Sequence, residues 1–162
     1  MENNNFSFED VRAGHEPEAI TEATTQIVNM DGKNFIADLT SKEVSFCSMT
    51  ATTQAEKVKL YQAMNNPSKR ISDCINLEIH LKDVYVEVVT LLDELTGQQM
   101  KAPRIVLIDN EGVGYTCVSI GVFSALKKIF TIFGMPTYKT PLTVVPTQIS
   151  RGQNKILTLN VK

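Results

Sequence analysis

The sequence predicts a mainly β fold with helices, on three observations. Apolar residues alternate with polar ones from Ile75 to Leu81, then again in the opposite phase from Val84 to Val88; a period of two is that of a strand with one covered face. Further β-rich runs follow, separated by glycine-bearing turns. Helical patterning is confined to short stretches, the clearest of them at 120–133. With 162 residues, 43% hydrophobic and 21% charged, the chain has the size and composition of one globular domain rather than a disordered chain. No apolar run approaches the ~18 residues that would span a bilayer. The first ten residues lack a basic and then apolar leader, so no secretory signal is expected. Cys47, Cys74 and Cys117 are odd in number and widely spaced, which predicts free thiols in a reducing, cytoplasmic setting.

Taken in order, residues 1–31 read as an acidic, flexible arm. Pro17 is placed to open a short helix there, with Ile20, Ala23, Thr24 and Ile27 as a weak stripe. The domain proper is expected over 32–162. Asn34–Asp38 and Glu43–Met49 flank a polar tetrad and predict a hairpin. Thr53-Gln-Ala-Glu56 is a capping box, and the helix it starts runs to Asn65, with Val58 and Tyr61 inward beside Leu60 and Met64. Asn65-Asn-Pro-Ser stops it.

The long strand begins at Ile75. Its phase flips after Asp83, as a β-bulge requires, and a bulged strand that serves two sheet faces suits the first strand of a small barrel. Leu91 to Leu95 extend it toward a turn at Thr96-Gly97. Arg104–Asp109 and Tyr115–Ser119 are strands of a hairpin around Asn110–Gly114. Ile120–Phe133 is a helix whose apolar face holds Val122, Leu126, Ile129 and Phe133, with Phe123 and Phe130 beside them, and Gly134 ends it. Leu142–Val145, Thr147–Ile149 and Lys155–Val161 complete the strands, the last two joined by a turn at 150–154. From Ile75 the order is strand, strand, strand, helix, strand, strand. That is the order of a five-stranded OB-fold-like β-barrel, with its capping helix between strands 3 and 4. The arm and the extra hairpin and helix precede it.

Motifs for catalysis are missing. There is no GxxxxGK[ST], GxSxG or HExxH, and Gly112-Val-Gly114 is a lone GxG in a hairpin. His80 alternates outward, and Asp93-Glu94 reads as a solvated turn. No catalytic residue, metal, cofactor, small-molecule substrate or membrane partner is expected, and the chain is not expected to be an enzyme.

What remains is a binding surface. Residues 1–31 hold seven acids and one base, net −6, whereas residues 95–162 hold eight bases and two acids, net +6. A local basic face attracts phosphate whatever the net charge of the whole. Single strands bind such barrels through cations along the backbone and rings on which bases stack. Tyr85, Lys101, Arg104, Tyr115, Tyr138, Lys139 and Arg151 are the candidates, expected along one trough. Each has a structural alternative. Tyr85 and Tyr115 suit a core position with a satisfied hydroxyl, Tyr138 suits an edge cover, and Lys101 and Arg104 suit edge-strand gatekeepers.

The stretch from Lys101 to Lys162 resembles the small single-stranded DNA-binding proteins encoded by phages and conjugative plasmids of Gram-positive bacteria. The residues that carry the likeness are Ala102–Asp109, Gly112-Val-Gly114-Tyr115, Ser119–Phe130, Gly134-Met-Pro136, Lys139-Thr-Pro141-Leu142 and Lys155–Leu159. The resemblance implies cytoplasmic, sequence-independent binding of single-stranded DNA, with RNA as the alternative polymer, during replication or transfer. The chain departs from the cellular bacterial single-strand binders, which end in an acidic tail; here the acidic segment leads and a strand, Leu157–Lys162, closes. Phe6, Phe8, Ile20 and Ile27 are candidate anchors through which the arm would join copies into a homo-oligomer. A protein-interaction module built on the same barrel is the competing function, and an exposed apolar patch would mark it.

Overall fold

The computed structural model describes residues 27–28, 45–136 and 138–162. Its elements are β1 (Ile27–Val28), β2 (Ser45–Cys47), α1 (Gln54–Asn65), β3 (Lys69–Arg70), a 3-10 turn (Ile71–Cys74), β4 (Ile79–Leu92), β5 (Gln99–Asp109), β6 (Gly114–Val118), α2 (Ile120–Phe133), β7 (Leu142–Arg151) and β8 (Asn154–Val161). The strands form one curled sheet in the order β1-β2-β4-β5-β6-β3, with β7 joined to β4 and β8 to β7.

The long strand β4 organises this sheet because it pairs on both sides. Ile79 to Leu81 pair with β7 and Asp83 to Leu92 with β5, while Tyr85 and Val86 also meet β2. The register slips between Leu81 and Asp83, where the phase of the sequence flips, and leaves Lys82 as the extra residue. The groups freed by the bulge are satisfied. The Lys82 carbonyl accepts from the Tyr138 amide at 3.0 Å. Buried Asp83 accepts from the Ser48 hydroxyl at 2.7 Å, and Ser48 Oγ accepts in turn from the Val84 amide at 2.9 Å.

Strand parity then separates two faces. Val84, Val86, Ile105, Leu107, Tyr115 and Cys117 point inward and meet Val122, Phe123, Leu126, Ile129 and Phe130 of α2 in the main core. Cys47, Tyr85, Val106 and Ile108 point outward, where Leu60, Ala63 and Met64 of α1 cover them.

The five strands occur in the expected order, but the sheet stays open. Among the described residues no pairing joins β6 to β8, because β3 lies parallel to β6 at Tyr115 and Thr116 and takes its second edge. Helix α2 fills the gap. Ser119 caps it by accepting from the Val122 amide at 3.1 Å and donates to the Leu157 carbonyl of β8 at 3.3 Å. Two residues on, Gly121 lets the helix backbone rest on β8: a Cβ there would stand 2.1 Å from the Leu157 carbonyl oxygen.

Several expectations are corrected. Ile75 and Leu77 precede the strand, where the 3-10 turn and the positive φ of Asn76 break the ladder. Val58 and Tyr61 are exposed rather than inward, since α1 reaches the sheet only through Leu60, Ala63 and Met64. Phe133 is also exposed, because the apolar stripe of α2 outruns the core it covers. The strands expected at 142–145 and 147–149 are one, β7. Ile27 belongs to β1, which pairs in parallel with Ser45 and Phe46, not to a helix. The remainder of that helix and the Asn34–Asp38 strand lie outside the described residues, as do Phe6, Phe8 and Ile20. The three cysteines are free and buried. Among the described residues no helix is long and apolar enough to cross a membrane.

Candidate nucleic-acid interface

The end of α1 determines where cations collect. Its capping box is present at the start, with Thr53 Oγ1 accepting from the Glu56 amide and the Glu56 carboxylate accepting from the Thr53 amide at 2.9 Å. At its end, Asn65-Asn-Pro-Ser turns the chain into β3 beside β6. This brings Lys69 and Arg70 next to Arg104 of β5 across a cleft of about 750 Å³. Asn65, Asn66, Ser68 and Thr116 add polar groups, and exposed Leu77 adds an apolar wall. Asp73 is the acidic residue of this lining. The ammonium of Lys69 lies 5.2 Å from the Tyr115 ring centroid, a cation–π distance.

Arg104 joins the cleft to the fold. One guanidinium nitrogen donates to Glu87 Oε1 and the other to the Met64 carbonyl at the end of α1, each at 3.0 Å. The Tyr85 hydroxyl donates to the other oxygen of Glu87 at 2.9 Å. The chain Tyr85–Glu87–Arg104–Met64 thus fastens α1 to the outer face of the sheet by charge-assisted hydrogen bonds.

The expected site residues do not form one trough. Tyr85 and Arg104 share the outer face, and Tyr85 is buried under α1 with its hydroxyl engaged. Tyr115 points into the main core, and its hydroxyl donates to Asp109 Oδ2 at 3.0 Å. Tyr138 packs half-buried against the same core and donates to the Gly134 carbonyl at 2.9 Å. Lys101 is three residues from Arg104 on an unbroken strand, so their side chains leave opposite faces. Lys139 and Arg151 are exposed elsewhere, Arg151 at the β7–β8 turn. Of the seven, Arg104 lines the cleft. Lys69 and Arg70, which line the cleft beside it, were not among the expected residues; their dibasic pair after an Asn-Asn-Pro-Ser turn was the available signal.

A second depression, of about 710 Å³, lies between α2 and the β7–β8 hairpin. Ile132, Phe133 and Ile149 leave apolar surface there, with Lys128 and Arg151 at its lining.

The buried phenols make stability alkaline-sensitive. Burial first, then the Asp109 carboxylate, pushes Tyr115 up to about 12. Burial does the same to Tyr138, also to about 12. Burial and then Glu87 raise Tyr85 as well. A phenol whose pKa is higher folded than unfolded stabilises the fold below its unfolded pKa, and this contribution is lost as pH rises through the folded value. Urea midpoints should therefore fall between about pH 10 and 12, and less steeply in Tyr115→Phe; equal slopes would contradict this origin.

A family model described as phage single-stranded DNA-binding protein matches residues 39–162. No curated protein and no solved structure matches the chain. The match takes in α1, the cleft and every strand from β2 to β8. It supports the phage side of the resemblance read from Lys101–Lys162 and carries it back across the cationic cleft. By this match over most of its length, the chain belongs to the phage single-stranded DNA-binding protein family.

Proposed function

We propose that this protein coats single-stranded DNA without sequence preference, and so protects or organises single strands during phage DNA replication. The observation that carries the reading is the cleft in which Lys69, Arg70 and Arg104 converge with amide and hydroxyl groups. Cations there neutralise phosphates, and neutral polar groups accept any base edge. Lys101, Lys139 and Arg151 serve as outlying phosphate contacts for a strand that leaves the cleft. Tyr85 and Tyr115 support the surface from beneath, since they are buried with their hydroxyls engaged, whereas half-buried Tyr138 stands outside the lining of the cleft.

The test is the double variant Lys69→Glu, Arg70→Glu, titrated with oligo(dT), oligo(U) and duplex DNA at two salt concentrations. Wild type should prefer the single strands. The variant should lose about tenfold or more in affinity and flatten the salt dependence by ~0.7 per lost phosphate contact. Unchanged affinity and slope in the variant would remove the cleft from the binding surface. A wild type that binds no single strand at low salt would shift the assignment to a protein-contact module, for which the apolar groove beside α2 is the marking feature.

A further inference from the structure

We infer that Tyr61, on the outer side of α1, is the base-stacking platform of this interface. This rests on the reading of the cleft as the single-strand site. All four tyrosines belong to the described residues, and Tyr61 is 65% exposed, against 6% for Tyr85 and 7% for Tyr115. Tyr138 is half-buried against the core. Stacking needs an open ring face, and Tyr61 supplies it.

Its position fits that use. Lys57, Tyr61 and Asn65 recur at intervals of four along α1 and so lie on one stripe of the helix. Asn65 lines the cleft, and one turn separates it from Tyr61, about 6 Å along the axis. The stripe therefore reads cation, ring, amide, and leads into Lys69 and Arg70. A strand leaving the cleft along α1 meets a ring one turn on and an ammonium one turn further. Val58, 46% exposed beside this ring, widens the apolar surface.

The helix itself tells in favour. α1 buries none of its residues, yet its first turn is closed by the capping box, and it is fastened to the sheet by the Arg104 bond to Met64 and by the packing of Leu60, Ala63 and Met64. A ring on such a helix is presented on a fixed support, so little conformational entropy is lost when a base stacks on it.

The experiment compares Tyr61→Ala and Tyr61→Phe with wild type, all full-length, by titration with oligo(dT). Tyr61→Ala should weaken binding by about 5- to 150-fold, with the salt slope unchanged because stacking releases no counterion. Tyr61→Phe should keep near-wild-type affinity, because the ring face remains. The chain has no tryptophan, so its intrinsic emission is that of tyrosine. Tyr61→Phe should also lose the larger part of the DNA-induced quench. Wild-type binding with Tyr61→Ala equal to it would overturn this inference and leave the cleft reading intact. Failure of wild type to bind oligo(dT) at low salt would overturn both. Urea midpoints of both variants should match wild type, since the side chain is on the surface.

Discussion

Gly121→Ala should be among the most destabilising single substitutions in this protein. Alanine is the better helix former by about 1 kcal/mol, so propensity alone predicts a gain. Packing opposes it and wins. The new Cβ would stand 2.1 Å from the Leu157 carbonyl oxygen and 2.7 Å from Ile156 Cγ2. A backbone oxygen cannot swing away as a side-chain tip does, so α2 must lift from β8. That shift strains the Ser119 bond to Leu157 at the same time. The expected loss is about 3 kcal/mol or more, read as a lower urea midpoint. A midpoint at or above wild type would mean that helix and strand are not in close contact.

Arg104→Ala should cost about 2 kcal/mol of stability and weaken DNA binding as well. The substitution removes two charge-assisted hydrogen bonds and leaves Glu87 facing Tyr85 without its cation. The pair is partly solvated, with side-chain exposures of 16% and 26%, which keeps the cost below that of breaking a fully buried one. Arg104→Lys should recover only part of the loss, because an ammonium lacks the planar fork that reaches both Glu87 and the Met64 carbonyl. Adding Glu87→Gln to Arg104→Ala should cost less than the sum of the two single changes. Hydrogen exchange should show faster amides in α1 for Arg104→Ala and little change in α2. Uniform acceleration, or none, would contradict the tethering role.

How much of this was legible depends on the element. The helix at 120–133 was readable to its boundaries, since its wide apolar face and its terminal glycine agree; the Ser119 cap is a feature that only the structure brought out. The bulge was readable because a slip of one residue inverts every later side chain, and the apolar set records that inversion. Parity also placed Tyr85 correctly on the face opposite Val84 and Val86. It could not reveal that α1 covers that face, because periodicity reports direction and carries no information about a remote element. The same gap hid Tyr61. On α1 apolar residues stand on two sides, Leu60, Ala63 and Met64 on one and Val58 and Tyr61 on the other, so its inward side is chosen by the sheet beneath it. Lys69 and Arg70 form a strand of two residues, too short for any period, and their meeting with Arg104 depends on contacts between distant parts of the chain.

The seating of α2 on β8 bears on what happens when the protein fails. Among the described residues β8 pairs with β7 alone, and the helix stands over its other side. Unshielded strand margins recruit neighbouring molecules into shared ladders. A chain whose helix has been dislodged should therefore clump as it melts, with turbidity rising at temperatures where the parent still stays clear.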